Sequence, residues 1–376
     1  MSFAKLIPFA DLLSAVVDNR GRTCPTAGSG FPLIATNCVT NDTLYPKLEK
    51  LRYVSEETYA TWFRGHPKPG DIIFVCKGSP GRVNIAPDPV GFCIAQDMVA
   101  VRANAELVYP LYLFAALRSE VVQDQIANLH VGTLIPHFKK GDFGKLMIPV
   151  PEPAVQRAIG DLYFLLSQKI TVNERISATA AELAEAEYKR IASSTKEVSA
   201  LGDLMDLKYG RSLPAAQRRP GSVPVYGSGG IGGRHDEALI EGPGIVIGRK
   251  GTVGAVYWEQ GDFFPIDTTF YVEMRRSGVP LEFAFFALKN LGLSSMNSDS
   301  AVPGLNRATA LALTVPVPPV EQATQFEQRI KPLFALKQSL LLQSQSVAEL
   351  RDALLPGLMS GTIRVRDAEK AVEDAT

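Results

Sequence analysis

From Phe326 onward an apolar residue returns at every seventh position: Phe326, Leu333, Leu340, Val347, Leu354. That spacing is the seam of a coiled coil. Counting back 167 residues from each lands on Ile159, Leu166, Asn173, Ala180 and Glu187, a weaker seam in a stretch dense in Ala, Glu, Leu, Gln and Lys. Ala154 to about Ala192 contains one glycine, Gly160, and no proline, so it reads as one long helix. At about 1.5 Å per residue it spans on the order of 60 Å. Two helices with unmatched stripes are expected to bury them against each other, with Asn173 either setting the register or marking a locally open seam. Ahead of each helix the pattern changes to short β-branched and aromatic runs broken by glycine and proline turns: Ile72 to Val75 and Ile94 to Val101, then Ile245 to Ile247, Ala255 to Trp258 and Thr268 to Val272. Each strand-rich region closes on prolines, Pro149, Pro151 and Pro153 in the first and Pro316, Pro318 and Pro319 in the second. Proline is tolerated at a strand end or in a first helical turn, so these mark the boundaries.

The chain is therefore written twice. Lys77-Gly78-Ser79 and Gly81 precede Lys250-Gly251-Thr252 and Gly254 by 173 residues, and Asp97 precedes Asp267 by 170. "YLFAALR" (Tyr112 to Arg118) matches "FAFFALK" (Phe283 to Lys289), and "LIPHFKKGDFGKLMIPVPEP" (Leu134 to Pro153) matches "AVPGLNRATALALTVPVPPV" (Ala301 to Val320). Order is kept throughout, and the drift in spacing is what loop deletions produce. The fold class expected is α+β: two strand-rich domains separated by a pair of long antiparallel coiled-coil helices, with a pseudo-two-fold internal repeat. The boundaries expected are 1–151, 152–195 for the first long helix, 196–318, 319–365 for the second helix and its tail, and 366–376 as a flexible tail.

With 376 residues, 46% of them hydrophobic, the chain is long enough for two or three domains with sizeable cores. Thirty-nine basic residues balance thirty-nine acidic ones, so net charge neither supports nor excludes a polyanion partner. Cys24, Cys38, Cys76 and Cys93 form no CxxC pair and the four histidines lie apart, which argues against a metal site or a disulfide framework. The start, MSFAKLIPFADLLSAVV, lacks the basic opening and unbroken apolar run of a signal peptide, and no apolar stretch reaches membrane-spanning length. A cytoplasmic location with reduced thiols is expected. Gly227 to Gly232 is a formal GxGxxG, but no helical period follows it, against a dinucleotide site. "GIVIGRKGT" has the wrong glycine spacing for a P-loop, and no Asp/Asn-Pro-Pro-Tyr/Phe tetrapeptide of an amino-methyltransferase occurs. Asp97 and Asp267 are read as structural, each closing a turn before a strand.

Taken together, "IGRKGTVG" (Ile247 to Gly254), "IPVPEPAVQRAI" (Ile148 to Ile159), "VPVPPVEQ" (Val315 to Gln322) and the ending "LRDALLPGLMSGTIRV" (Leu350 to Val365) make the chain resemble the specificity subunits of type I restriction-modification systems over nearly its whole length. The resemblance implies a non-catalytic, sequence-specific DNA-binding subunit. Each of two target-recognition domains would read one half of a split asymmetric sequence on double-stranded DNA, while the paired helices set the spacer and dock two methyltransferase subunits. It further implies restriction-translocase partners, no membrane, and no cofactor on this chain, since S-adenosylmethionine, ATP and Mg²⁺ belong to the partners. The DNA-contact candidates are then the two glycine-rich basic turns, Lys77, Gly78, Ser79 and Arg82 in the first and Arg249, Lys250, Gly251 and Thr252 in the second. Glycines let backbone approach a phosphate, and the cations supply charge-assisted contacts. Arg249 could instead bind guanine bidentately. His137, Lys139 and Lys140, with Asn306 and Arg307 at the matching repeat position, join them, as do Arg211, Arg234 and His235 around an expected open stretch, "YGSGGIGGRH". The alternative for each turn is a solvated hairpin. Rival functions are a coiled-coil interaction scaffold and a nucleotide-binding enzyme.

Overall fold

The computed structural model describes residues 5–19, 23–132, 135–296 and 304–375. Leu134 and Ala301 to Pro303, at the ends of the matched repeat segments, lie outside them. In chain order the first copy comprises β1 (Lys5–Pro8), β2 (Leu13–Asp18), β3 (Phe31–Ile34), β4 (Arg52–Val54), α1 (Glu56–Thr61), β5 (Ile72–Val75), β6 (Val83–Ile85), β7 (Cys93–Ile94), β8 (Met98–Ala103), α2 (Pro110–Arg118), α3 (Glu120–Leu129), β9 (Met147–Val150) and α4 (Pro153–Ser194). The second comprises β10 (Val198–Ala200), α5 (Leu201–Leu204), β11 (Met205–Tyr209), β12 (Val223–Gly227), β13 (Gly230–His235), β14 (Gly244–Gly248), β15 (Val256–Glu259), β16 (Phe264–Pro265), β17 (Thr269–Met274), α6 (Leu281–Asn290), α7 (Arg307–Leu311), β18 (Thr314–Pro316), α8 (Val320–Ser360) and α9 (Val365–Ala375).

Two units emerge, one of residues 1–173 and 342–376, the other of residues 174–341. In the first, β2-β8-β5-β6 form an antiparallel four-stranded sheet and β4-β3-β7 a three-stranded one in which β3 and β7 run parallel. In the second, β11-β17-β14-β15 and β13-β12-β16 repeat that plan strand for strand, and the small ribbons β1-β9 and β10-β18 correspond as well. The middle strands explain the continuous apolar runs in the sequence: every residue of β5 and of β14 is buried, as expected of strands covered on both faces.

The long helices complete both cores. Pro153 opens α4 at a position where the missing N–H costs no helical bond. Among the described residues the first unit's core joins Ile159, Leu162, Tyr163, Leu166 and Ile170 of α4 with Val347, Leu354, Leu355 and Leu358 of α8. In the second unit, Ala184, Tyr188 and Ile191 of α4 share a core with Phe326 and Ile330 of α8, with Leu333 packed at its margin. Early α4 meets late α8 and late α4 meets early α8, so the pairing is antiparallel. Of the seam positions, Ile159, Leu166, Asn173, Ala180, Phe326, Val347 and Leu354 are buried, while Leu333 and Leu340 are half-buried. Asn173 donates through Nδ2 to Gln343 Oε1 (2.9 Å) and Ser344 Oγ (3.2 Å), while its own Oδ1 is buried without a partner among the described residues. Glu187 turns its half-buried carboxylate to Arg329 of α8 (2.9 Å). The segment expected as a flexible tail lies mostly in α9, whose Ala368 is fully buried and whose Val365 and Val372 pack on the first unit's core.

Candidate nucleic-acid interface

The first basic turn joins β5 to β6. Gly81 N–H donates to Val75 O (3.0 Å), and Val75 N–H to Arg82 O (2.9 Å), closing the turn. Both Cys76 N–H and Lys77 N–H reach Asp97 O, and Phe138 N–H donates to Cys76 O (2.8 Å), which lays residues 136–138 beside the turn. A β-bridge pairs Lys77 with His137. In the second unit the same network reappears: Gly254 N–H to Gly248 O (2.8 Å), Arg249 and Lys250 N–H to Thr268 O, Leu305 N–H to Arg249 O (2.9 Å), and a bridge between Lys250 and Gly304.

Glycine is required at the repeated positions because Gly78, Gly81, Gly251 and Gly254 all hold positive φ, of 88°, 88°, 84° and 74°. A Cβ at Gly254 would also stand 2.3 Å from the Leu293 carbonyl carbon. The equivalence corrects the alignment by one residue. Val75 pairs with Met98 and Gly248 with Thr269, so the counterpart of Asp97 is Thr268, and Asp267 lies one position earlier. Burial, helped by repulsion from Asp97, pushes the Cys76 thiol up to about 12, so beside Lys77 it stays neutral.

Lys77, Gly78, Arg82, Lys250, Gly251 and Thr252 are exposed and Ser79 half-buried. Arg249 differs from its neighbours. Its guanidinium lies over the Tyr209 ring (5.1 Å to the centroid) and donates to Asp267 O (2.7 Å), contacts that tie it to the turn. Beside the first turn, Lys139 and Lys140 are exposed, Lys140 pairs with Asp18, and half-buried His137 sits in the bridge.

Three of the expected contacts, Asn306, Arg307 and His235, have partners within the protein. The Asn306 side chain caps α7 by accepting from Thr309 N–H (3.1 Å). Arg307 turns inward, its Nε donating to Leu207 O (2.7 Å) and its Nη2 to Asp206 Oδ1. His235 is buried, and its Nδ1 accepts from Arg219 N–H (3.0 Å). The stretch expected to be open is a hairpin, β12-β13, with Gly227 opposite Gly230. A strand follows its glycines, which rules out the helix that a dinucleotide site needs. Arg218 ties the hairpin down through Gly232 O (2.7 Å), Arg234 donates to Ser222 O (2.6 Å), and Arg211 is exposed.

Sequence reasoning missed the hairpin tip. Tyr257 OH donates to Ser228 O (3.0 Å), and a Cβ on Gly251 would stand 3.1 Å from Ser228 Oγ, so the tip lies against the second basic turn. The missed signal was the strand-length alternation on both sides of "GSGG". Asp206 was missed too, although a lone acid inside the apolar run "LMDL" was visible. Burial works to raise its pKa, but Lys208, Arg307 and the Leu207 N–H outweigh it and hold the carboxyl at about 2. Among the described residues no cluster of three or more His, Cys, Asp or Glu could hold a metal ion, and no helix is long and apolar enough to cross a membrane.

Comparison with known proteins agrees with this duplication. The family described as type I restriction modification DNA specificity domain matches residues 26–181 and again residues 193–345. The chain is 30% identical over 128 residues to the type I restriction enzyme EcoprrI specificity subunit of Escherichia coli, covering 32% of each chain. It is 26% identical over 166 residues to the HindI specificity subunit of Haemophilus influenzae, covering 42% of this chain and 36% of that one. These matches span about a third of the length of either curated relative. The crystal structure of a type I restriction-modification S subunit from M. genitalium has the same fold, with a TM-score of 0.62 at 20% identity, covering 90% of this chain and 95% of that one. With two matches that together take in most of the sequence, the chain belongs to the type I restriction-modification DNA specificity family and carries the family's domain twice.

Proposed function

We propose that each unit reads one half of a bipartite, asymmetric sequence on double-stranded DNA, and that the chain supplies recognition and no chemistry. The observation that carries this reading is the duplicated turn: the same glycine conformations, the same backbone hydrogen bonds and a lysine at the same place, built once per unit. A hairpin needed only to reverse the chain would not need the lysine twice. In the first unit the contacting residues are Lys77, Gly78, Ser79, Arg82, His137, Lys139 and Lys140; in the second they are Lys250, Gly251, Thr252, Arg211, Arg234 and Ser228 at the hairpin tip. Backbone contacts from the glycines and charge-assisted contacts from the lysines would position each unit, leaving neighbouring side chains to read base edges.

The helices would serve as spacer and dock. Groove access recurs about every 34 Å, so a split site needs a spacer, which the 42 residues of α4 would help to supply. Leu165, Val172, Ile176 and Leu183 are exposed along α4, as are Leu336, Leu341 and Leu342 on α8. Apolar residues repeated along an exposed helix suit the docking of methyltransferase subunits, which would bring S-adenosylmethionine. Restriction-translocase subunits would bring ATP and Mg²⁺ use.

The test is half-site selectivity in the complex with methyltransferase subunits. Lys250→Ala with Thr252→Ala is expected to weaken binding and relax preference at one half-site only. Loss of preference at both halves contradicts independent readers, and wild-type binding together with wild-type preference at both halves removes the turn from the interface.

A further inference from the structure

Arg307 is the first residue of α7, and directly before it runs the short segment Gly304 to Asn306 that flanks the second basic turn. Its guanidinium is spent on β11, where Nε meets Leu207 O (2.7 Å) and Nη2 meets Asp206 Oδ1. Asp206 lies inside β11 with its side chain 4% exposed, and the charged groups facing it can be named among the described residues. Oδ1 also accepts from Leu207 N–H (2.8 Å), and Oδ2 receives Arg275 (2.9 Å) and Lys208 (3.2 Å), the latter shared with Glu273. Lys208 belongs to β11 itself and Arg275 directly follows β17, so of these cations only Arg307 couples Asp206 to the segment beside the turn. Two residues upstream, Leu305 N–H donates to Arg249 O (2.9 Å). An unbroken path of bonds therefore leads from a buried carboxylate to the backbone of the turn.

The first unit fixes its equivalent segment differently. Ala15 stands opposite Arg102 where Asp206 stands opposite Glu273, and Arg102 instead grips Asp71 through two bonds of 2.8 Å. There the segment after the bridge is anchored by Phe138 and Phe143, both buried, whose rings pack with Phe9 and Phe74 at centroid separations of 4.9 to 6.0 Å.

We propose that Asp206 is a positioning residue for the second half-site: by holding Arg307 it fixes Gly304 to Asn306 against the Arg249 to Thr252 turn, so one reader is set by charge and the other by aromatic packing. The inference rests on the reading of that turn as a DNA contact. It also assigns Arg307 to the interior of the unit and not to the nucleic acid.

The test uses the complex with methyltransferase subunits and Arg307→Met, which leaves Lys208 and Arg275 to neutralise Asp206. Two readouts are taken: hydrogen exchange at the Leu305 amide without DNA, and discrimination against single-base changes in each half-site. The expected result is faster exchange at Leu305 with discrimination falling about tenfold or more at the second half-site, the scale of one lost base contact, and unchanged at the first. Discrimination lost with exchange unchanged would make Arg307 a direct DNA contact and overturn the proposal. Faster exchange with full discrimination would also overturn it. In that case, Lys250→Ala in the same assay separates the two failures: if it weakens binding, the turn still contacts DNA and only the clamp is wrong; if not, the reading of the turn falls as well. Should Arg307→Met not assemble, Arg307→Lys keeps the charge but loses the bond to Leu207 O, and a smaller change in both readouts is expected.

Discussion

If Lys77 and Lys250 touch phosphates, their removal must appear in the salt dependence of binding. Among the described residues, Lys77, Arg82, Lys139, Arg211, Arg234 and Lys250 are exposed cations of the two candidate surfaces that form no ion pair, although Lys139 lies near Asp142. Each phosphate contact contributes about −0.9 to the slope of log K against log salt, so six would give a slope of about −5 from this chain. Lys77→Ala together with Lys250→Ala should make the slope shallower by about 1.8, and because the effect vanishes near 1 M salt, the loss at 0.1 M is roughly 60-fold, or about 8-fold for each lysine. Arg249→Ala provides the contrast. That guanidinium is already engaged by Tyr209 and Asp267 O, so its loss should loosen the turn while changing the slope by less than about 0.5. The assay is fluorescence anisotropy of a labelled duplex titrated with the complex at several salt concentrations. A double variant with the wild-type slope would refute the assignment of both lysines, whatever happened to affinity.

Other outcomes follow from packing and from charge. Phe326, fully buried between Phe283 and Phe286, should cost about 3–5 kcal/mol when cut to alanine, read as a lower urea midpoint for the second unit; an unchanged midpoint would contradict the seam. Gly254→Ala, with φ at 74° and backbone 2.3 Å from the new Cβ, should abolish second half-site preference and spare the first, as methylation of half-site variants would report. Asn173→Leu removes a buried, unpartnered Oδ1, while half-buried Gln343 and Ser344 can turn to water; the urea midpoint should rise by about 1 kcal/mol equivalent, and a fall would show that the amide's two bonds outweigh that oxygen. The Asp206 carboxyl is held at about 2 against an ordinary 3.8, so its stabilisation is present above the ordinary value and lost as pH drops towards the folded one. Acid unfolding of the second unit should therefore be less steep for Asp206→Asn over that window, and an identical pH profile would remove the carboxylate from the balance.

Much of this architecture could be read from residue order because periodicity and repetition survive in the sequence. The seam needed only the seven-residue return of Phe326, Val347 and Leu354, and the readers needed only Lys-Gly twice at one offset. Side-chain direction could not be read in that way. Arg249 and Lys250 are adjacent cations in one turn, yet one folds back onto Tyr209 and the other faces water, a choice made by a ring forty residues away in sequence. Asn306 and Arg307 looked like polar loop residues; the first is a helix cap and the second an internal ion partner, because β11 brings Asp206 beneath them. The one-residue error at Asp267 has a related origin: a shared aspartate drew the alignment, whereas strand register is set by backbone pairing.

The core that holds Tyr112 and Phe114 is completed by Val347, Leu354 and Leu358, residues of α8 near the far end of the chain, whereas residues 174–341 form an uninterrupted stretch. During synthesis, then, residues 174–341 can close before the first unit is complete. Until α8 has emerged from the ribosome the first unit keeps an apolar flank open, so a stop codon within α8 would damage the unit whose strands were made earlier.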